Sequence, residues 1–80
     1  MAPSAVKRDA TAIDVPVTDD AIHVVLADGR EVTAAVAWSP RLADATSEQR
    51  KNWRLIGRGQ GIRWPDVDED ISVASLLKVA

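Results

Sequence analysis

The sequence predicts an α+β domain: a three-stranded antiparallel meander plus a short fourth strand, with two or three helices packed on one face. Three observations carry this. Apolar and polar residues alternate in three runs between Ala12 and Val36. Asp28-Gly29 separates the second run from the third at hairpin spacing. The rest of the chain turns to capping motifs and apolar spacings of three and four, the pattern of short helices.

Residues 1–10 are expected to form a flexible N-terminal arm, and residues 11–80 a single domain. From Ala12 onward, Ile13, Val15 and Val17 alternate with Asp14 and Pro16, which reads as a strand. Pro16 has no N–H to give a neighbour, so this strand belongs at a sheet edge. Thr18 to Asp20 form a turn, and Ile22, Val24 and Leu26 mark the inner face of a second strand. Asp28-Gly29 predicts a two-residue type I′ turn. The returning strand runs from Arg30 to Val36, with Val32, Ala34 and Val36 facing the core.

Pro40 suits the first turn of a short helix capped by Ser39. Thr46 and Gln49 are spaced for a capping box, which predicts a helix from about Ser47 to Ile56 with Trp53 and Ile56 on its buried face. Gly57 to Gly61 stop that helix and turn the chain. Ile62-Arg-Trp64 is the short fourth strand, ended by Pro65. Ser72 reads as the N-cap of a last helix, about Val73 to Val79, that offers Val73, Leu76 and Leu77 to the core.

Size limits stability. A chain of 80 residues buries only roughly 60% of its unfolded surface. With no cysteine it has neither disulfides nor the usual structural zinc ligands, so a partner chain is a natural source of support. Phe and Tyr are absent; Trp38, Trp53 and Trp64 supply all the aromatic bulk and are expected as core or half-buried clamps. The formal net charge of −2 is unevenly spread. Residues 38–63 hold six Lys or Arg against Asp44 and Glu48, whereas the flanking segments are acidic. That balance does not favour generic nucleic-acid binding. No apolar run approaches the ~20 residues of a membrane span, and residues 1–10 lack a signal-like apolar stretch. The expectation is a cytoplasmic protein without membrane contact.

Asp66, Asp68, Asp70 and Ser72 match alternate positions of a calcium loop, but Ile71 stands where glycine is required and Leu77 where the bidentate glutamate belongs. The run reads instead as an acidic approach to a helix N-terminus. Gly57, Gly59 and Gly61 follow a predicted helix and precede a strand, the reverse of a phosphate cradle. His23 is the only histidine, with no legible nucleophile or acid–base partner. No catalytic residue, metal ligand or cofactor is expected. Arg50, Arg54 and Arg58, spaced by four beside Lys51, form a basic stripe. With Arg63 they are the candidate partner-binding residues, suited to an acidic protein surface.

Leu26-Ala-Asp-Gly-Arg30, Trp38-Ser-Pro-Arg-Leu42, Ala45-Thr46 and Arg50 to Trp53 belong to one ordered pattern. It continues through Gly59-Gln-Gly-Ile-Arg-Trp-Pro65, Asp68-Glu-Asp-Ile-Ser72 and Leu76-Leu77. Together these resemble the small bacterial domain-of-unknown-function family 2442, from about Ala12 to Leu77. The resemblance implies a compact α+β domain with an N-terminal meander. It also implies occurrence alone, fused to a helix-turn-helix domain, or encoded beside another small protein, as in toxin–antitoxin pairs. The family often has His where this chain has Arg63, and an arginine cannot act as base or metal ligand there.

The expected function is therefore a non-enzymatic protein-interaction domain, the antitoxin-like or accessory half of a bacterial gene pair. Its partner would be a protein encoded nearby or a second copy. The alternatives are a nucleic-acid-binding regulator component using the basic helix, and a small-molecule-binding domain with a pocket among the three tryptophans.

Overall fold

The computed structural model describes residues 9–79. Residues 1–8, most of the expected arm, lie outside the described residues. Two three-stranded antiparallel sheets and three short helices share one hydrophobic core. The first sheet has the order β1-β2-β3, with β1 Ala12–Asp14, β2 Ala21–Leu26 and β3 Glu31–Ala35. The second has the order β4-β5-β6, with β4 Arg54–Ile56, β5 Gly61–Trp64 and β6 Glu69–Ser72. The helices are α1 Pro40–Ala43, α2 Ser47–Lys51 and α3 Val73–Val79.

The predicted meander forms. Ile22, Val24 and Leu26 face inward from β2, opposite Val32 and Ala34 of β3. β1 is the predicted edge strand, but its alternation differs. The register slips between Ala12, which faces Leu26, and Asp14, which faces Val25, so Ile13 is the extra residue of a bulge. The bulge turns Ile13 out, 57% exposed, and brings Ala12 and Val15 inward.

The hairpin after β2 also forms, with a different turn. The Leu26 N–H donates to the Arg30 carbonyl at 2.8 Å and the Gly29 N–H to the Leu26 carbonyl at 3.0 Å. Gly29 has φ +92°, while Asp28 keeps an ordinary φ, so the loop is Ala27 to Gly29 with a glycine bulge rather than type I′. Asp28 is held by its side chain. Its carboxylate accepts from the Arg30 N–H and Nε and from the Asp9 N–H. Burial pushes this carboxyl up, but those donors together hold it below the ordinary aspartate value.

The second half departs further. Thr46 and Gln49 make the predicted capping box, yet α2 ends at Lys51 and residues 54–56 pair as a strand with β5. The period from Trp53 is two, not three. Trp53 and Leu55 are half-buried, while Arg54 and Ile56 are exposed. Strand pairing with Gly61–Arg63 decides the segment, since short helices gain little without a packed face. The expected single fourth strand is thus the middle strand of a second sheet. The acidic run is not only a helix lead-in either: Glu69–Ser72 is β6, paired with β5. Ser72 does cap α3, its Oγ accepting from the Ser75 N–H at 3.1 Å.

The second sheet supplies Ile62 and Trp64 to the core, both fully buried. α1 adds Leu42, and α3 adds Val73 and Leu76. Helices and a second sheet together therefore cover the meander, rather than helices alone. No helix of the described residues is long and apolar enough to cross a membrane.

Candidate functional site

Shortening α2 dissolves the basic stripe, whose spacing required an unbroken helix to Arg58. Arg50 lies on α2, Arg54 on β4, Arg63 on β5, and Arg58 in the turn between the two strands with φ +58°. Lys51, Arg54 and Arg58 are exposed on three different elements.

Arg50 is committed to the fold. Its Nη1 donates to the carbonyls of Leu42 (3.1 Å) and Ala45 (2.6 Å), closing the end of α1. Its Nη2 reaches Asp19 Oδ1 at 3.3 Å, and the side chain is 11% exposed. The Ser47 hydroxyl and then Arg50 hold the Asp19 carboxyl below its ordinary value. The planar fork is what serves three acceptors at once. Arg50→Lys is expected to lower stability by about 2 kcal/mol in urea titration. Lys51→Gln, one residue along the same helix, is expected to change it by less than about 0.5 kcal/mol. Equal midpoints for the two variants would return Arg50 to the pool of free surface cations.

Arg63 is also occupied. It stands between Arg54 and Asp70 on the outer face of the second sheet. Its Nη1 binds Asp70 at 2.8 Å and its Nη2 binds Asp68 at 2.9 Å. Hydrogen bonding and charge from Arg63 hold the Asp68 carboxyl down, and the two aspartates raise the Arg63 guanidinium. Part of the acidic run thus meets a basic residue within the chain.

The three tryptophans separate. Trp64 is fully buried, its Nε1 donating to the Arg50 carbonyl at 2.8 Å. Trp53 is half-buried against the core. Trp38 is 58% exposed, unlike the core or half-buried role expected of it.

Trp38 stands at the rim of an open groove of about 810 Å³. The chain leaves β3 through a tight turn at Val36–Trp38, with the Ser39 N–H donating to the Val36 carbonyl at 3.0 Å. Ser39 turns inward to cap α1, its Oγ accepting from the Leu42 N–H, and Trp38 is left outside. One wall is Ala34, Ala35 and Trp38 to Pro40; the other is β6 with Ser75 and Leu76 of α3. Ile22 lies at the floor. The groove therefore lies between one outer strand of each sheet, β3 and β6.

Glu69 is the polar centre of this groove. It is half-buried on β6, opposite Trp64 in the ladder. Its Oε2 accepts from the Ser39 hydroxyl at 2.7 Å and its Oε1 from the Asp70 N–H at 3.1 Å. The sequence offered Glu69 only as one acid in a run. The signal that would have separated it is the alternation of Glu69 and Ile71 with Asp70 and Ser72, legible once the segment is read as a strand. His23 lies elsewhere, its Nδ1 hydrogen-bonded to Thr33 Oγ1 at 3.1 Å on the sheet face opposite Ile22 and Ala34. Among the described residues no group of three or more His, Cys, Asp or Glu is placed to hold a metal.

A family model described as a protein of unknown function, DUF2442, matches residues 12–80. The solution NMR structure of an uncharacterized protein from Chromobacterium violaceum is similar, with 26% sequence identity and a TM-score of 0.73. That likeness covers 85% of this chain and 64% of the other, so the chain spans less than two thirds of the length of that relative. No curated protein matches the chain.

Proposed function

The chain belongs to the DUF2442 family of proteins of unknown function, and from that footing we propose that it is a non-catalytic protein-interaction domain that receives a segment of another protein in the groove beside Trp38. In this reading it is the antitoxin-like or accessory half of a bacterial gene pair. One observation carries it: an indole more than half exposed at the rim of an open groove whose walls include Ala34, Ala35, Pro40, Ile71 and Leu76. Exposed tryptophan beside an apolar recess is the usual make-up of an interface hot spot. Among the described residues no Lys or Arg lines the groove, while Glu69 and Asp70 do, which favours protein over nucleic-acid phosphate.

The test is co-expression with the neighbouring gene product, followed by size exclusion with light scattering. A stoichiometric complex is expected. Trp38→Ala is expected to weaken it by about 30-fold, as for a 2 kcal/mol hot spot. The same change should shift stability by less than about 0.5 kcal/mol, since the side chain is largely outside the core. A complex of unchanged affinity would remove the groove as the working surface, and a chain that stays alone would remove the paired reading.

A further inference from the structure

We propose that the segment received by the groove is extended and carries a lysine or arginine, whose cation is received by Glu69 and whose aliphatic stem lies along Trp38. This rests on the groove reading above and names the chemistry of its occupant.

The charge on the groove wall is unbalanced. Of its two carboxylates, Asp70 is already paired with Arg63 at 2.8 Å. Glu69 is not: among the described residues its partners are the Ser39 hydroxyl and the Asp70 N–H, both neutral, and no salt bridge includes it. A half-buried carboxylate is partly desolvated, and hydrogen bonds from neutral donors offset only part of that cost. Each of its oxygens has accepted one hydrogen bond and keeps room for another. The two donors also fix the carboxylate in place, because Ser39 is itself buried and locked as the cap of α1. An incoming guanidinium or ammonium therefore meets a preset acceptor. Trp38, exposed on the other rim, offers a flat face for an aliphatic stem and favours a nearby cation.

The backbone of β6 argues for an extended segment. The Val73 N–H donates to the Gln60 carbonyl, so ladder alternation makes Ile71–Ile62 and Glu69–Trp64 the hydrogen-bonded pairs. Asp70 and Ser72 then turn their peptide groups away from β5. The Asp70 N–H is taken by Glu69 and the Ser72 carbonyl by the Ser75 hydroxyl. Among the described residues the Asp70 carbonyl and the Ser72 N–H remain, at the spacing that one residue of an added parallel strand bonds with its own N–H and carbonyl.

The probe is a phage-displayed library of random peptides, panned against the full chain and against Trp38→Ala and Glu69→Gln. The expected result is a set of peptides with one Lys or Arg among apolar residues. Their affinity should fall about tenfold or more in Glu69→Gln, and equally when the peptide cation is replaced by Gln. Glu69→Gln keeps an oxygen for the Ser39 hydroxyl, so thermal unfolding alongside the wild type separates lost binding from lost fold. Peptides that need Trp38 but lack a cation would overturn this inference and leave the groove reading standing. Cationic peptides indifferent to Glu69→Gln would overturn the assignment of Glu69. Peptides indifferent to Trp38→Ala, or none at all, would overturn both. A dimer in light scattering that Trp38→Ala breaks would make a second copy the occupant, and would also overturn it.

Discussion

Trp64→Ala is expected to destabilise the fold by about 4–6 kcal/mol. The side chain is wholly buried at the centre of the second sheet, and a buried Trp→Ala change costs about 3–5 kcal/mol. Its Nε1 also holds the Arg50 carbonyl at 2.8 Å, and leaving that acceptor without its donor adds about 1 kcal/mol. A single domain of this size has roughly 4–12 kcal/mol in total, so the change removes a third or more of it. The residue also joins the layers: it belongs to β5, packs in the common core, and ties to the last residues of α2. Urea titration followed by far-UV circular dichroism checks this, with Trp38→Ala as the exposed control. A loss below about 1 kcal/mol would mean that the second sheet is not anchored through Trp64.

Gly59→Ala is expected to cost about 2–5 kcal/mol. Gly59 has φ +82°, where an L side chain pays about 1–2 kcal/mol. It is also buried against the first sheet. A Cβ there would stand 2.4 Å from Thr11 Cγ2 and 2.6 Å from the Ala12 carbonyl oxygen, so β1 would have to move, at a further cost of about 1–3 kcal/mol. Gly57→Ala separates the two causes. Its φ is +58°, but its Cβ would meet only Gln60 Cβ, at an ordinary 3.6 Å. Gly57→Ala should therefore show the backbone cost alone, about 1 kcal/mol. Gly59→Ala should in addition loosen the Ala27 N–H, which bonds the Thr11 carbonyl and would exchange faster with solvent. Equal destabilisation of the two variants would sink the close-approach account.

Local chemistry was readable where one short-range cause decides the structure. Ser39 before Pro40, Thr46 with Gln49, and Ser72 before α3 all cap as their spacing implied, because a cap needs only a few neighbouring residues. β2 and β3 were readable because one face is fully inside, so their alternation is unbroken. The departures from local pattern share a long-range cause. Trp53 to Ile56 fit either period, and pairing with β5 chose two over three. Ile13 points outward because of a bulge that depends on how Ala12 and Asp14 meet β2. The basic stripe failed with the helix that would have carried it. Glu69 differs from its acidic neighbours because β6 turns it toward the core side, where Ser39, thirty residues earlier, folds back to it.

The graded burial of the three indoles has a photophysical consequence. The chain has no tyrosine or phenylalanine, so tryptophan accounts for its aromatic ultraviolet absorption and its intrinsic emission. Trp64, in a dry core, emits toward the blue, and Trp38, facing solvent, emits toward the red. The two populations report different events. The blue component follows unfolding, while the red one is open to a water-borne quencher and is screened by whatever settles over the rim of the groove. The protein thus carries separate optical readouts of its core and of its surface, with no dye attached.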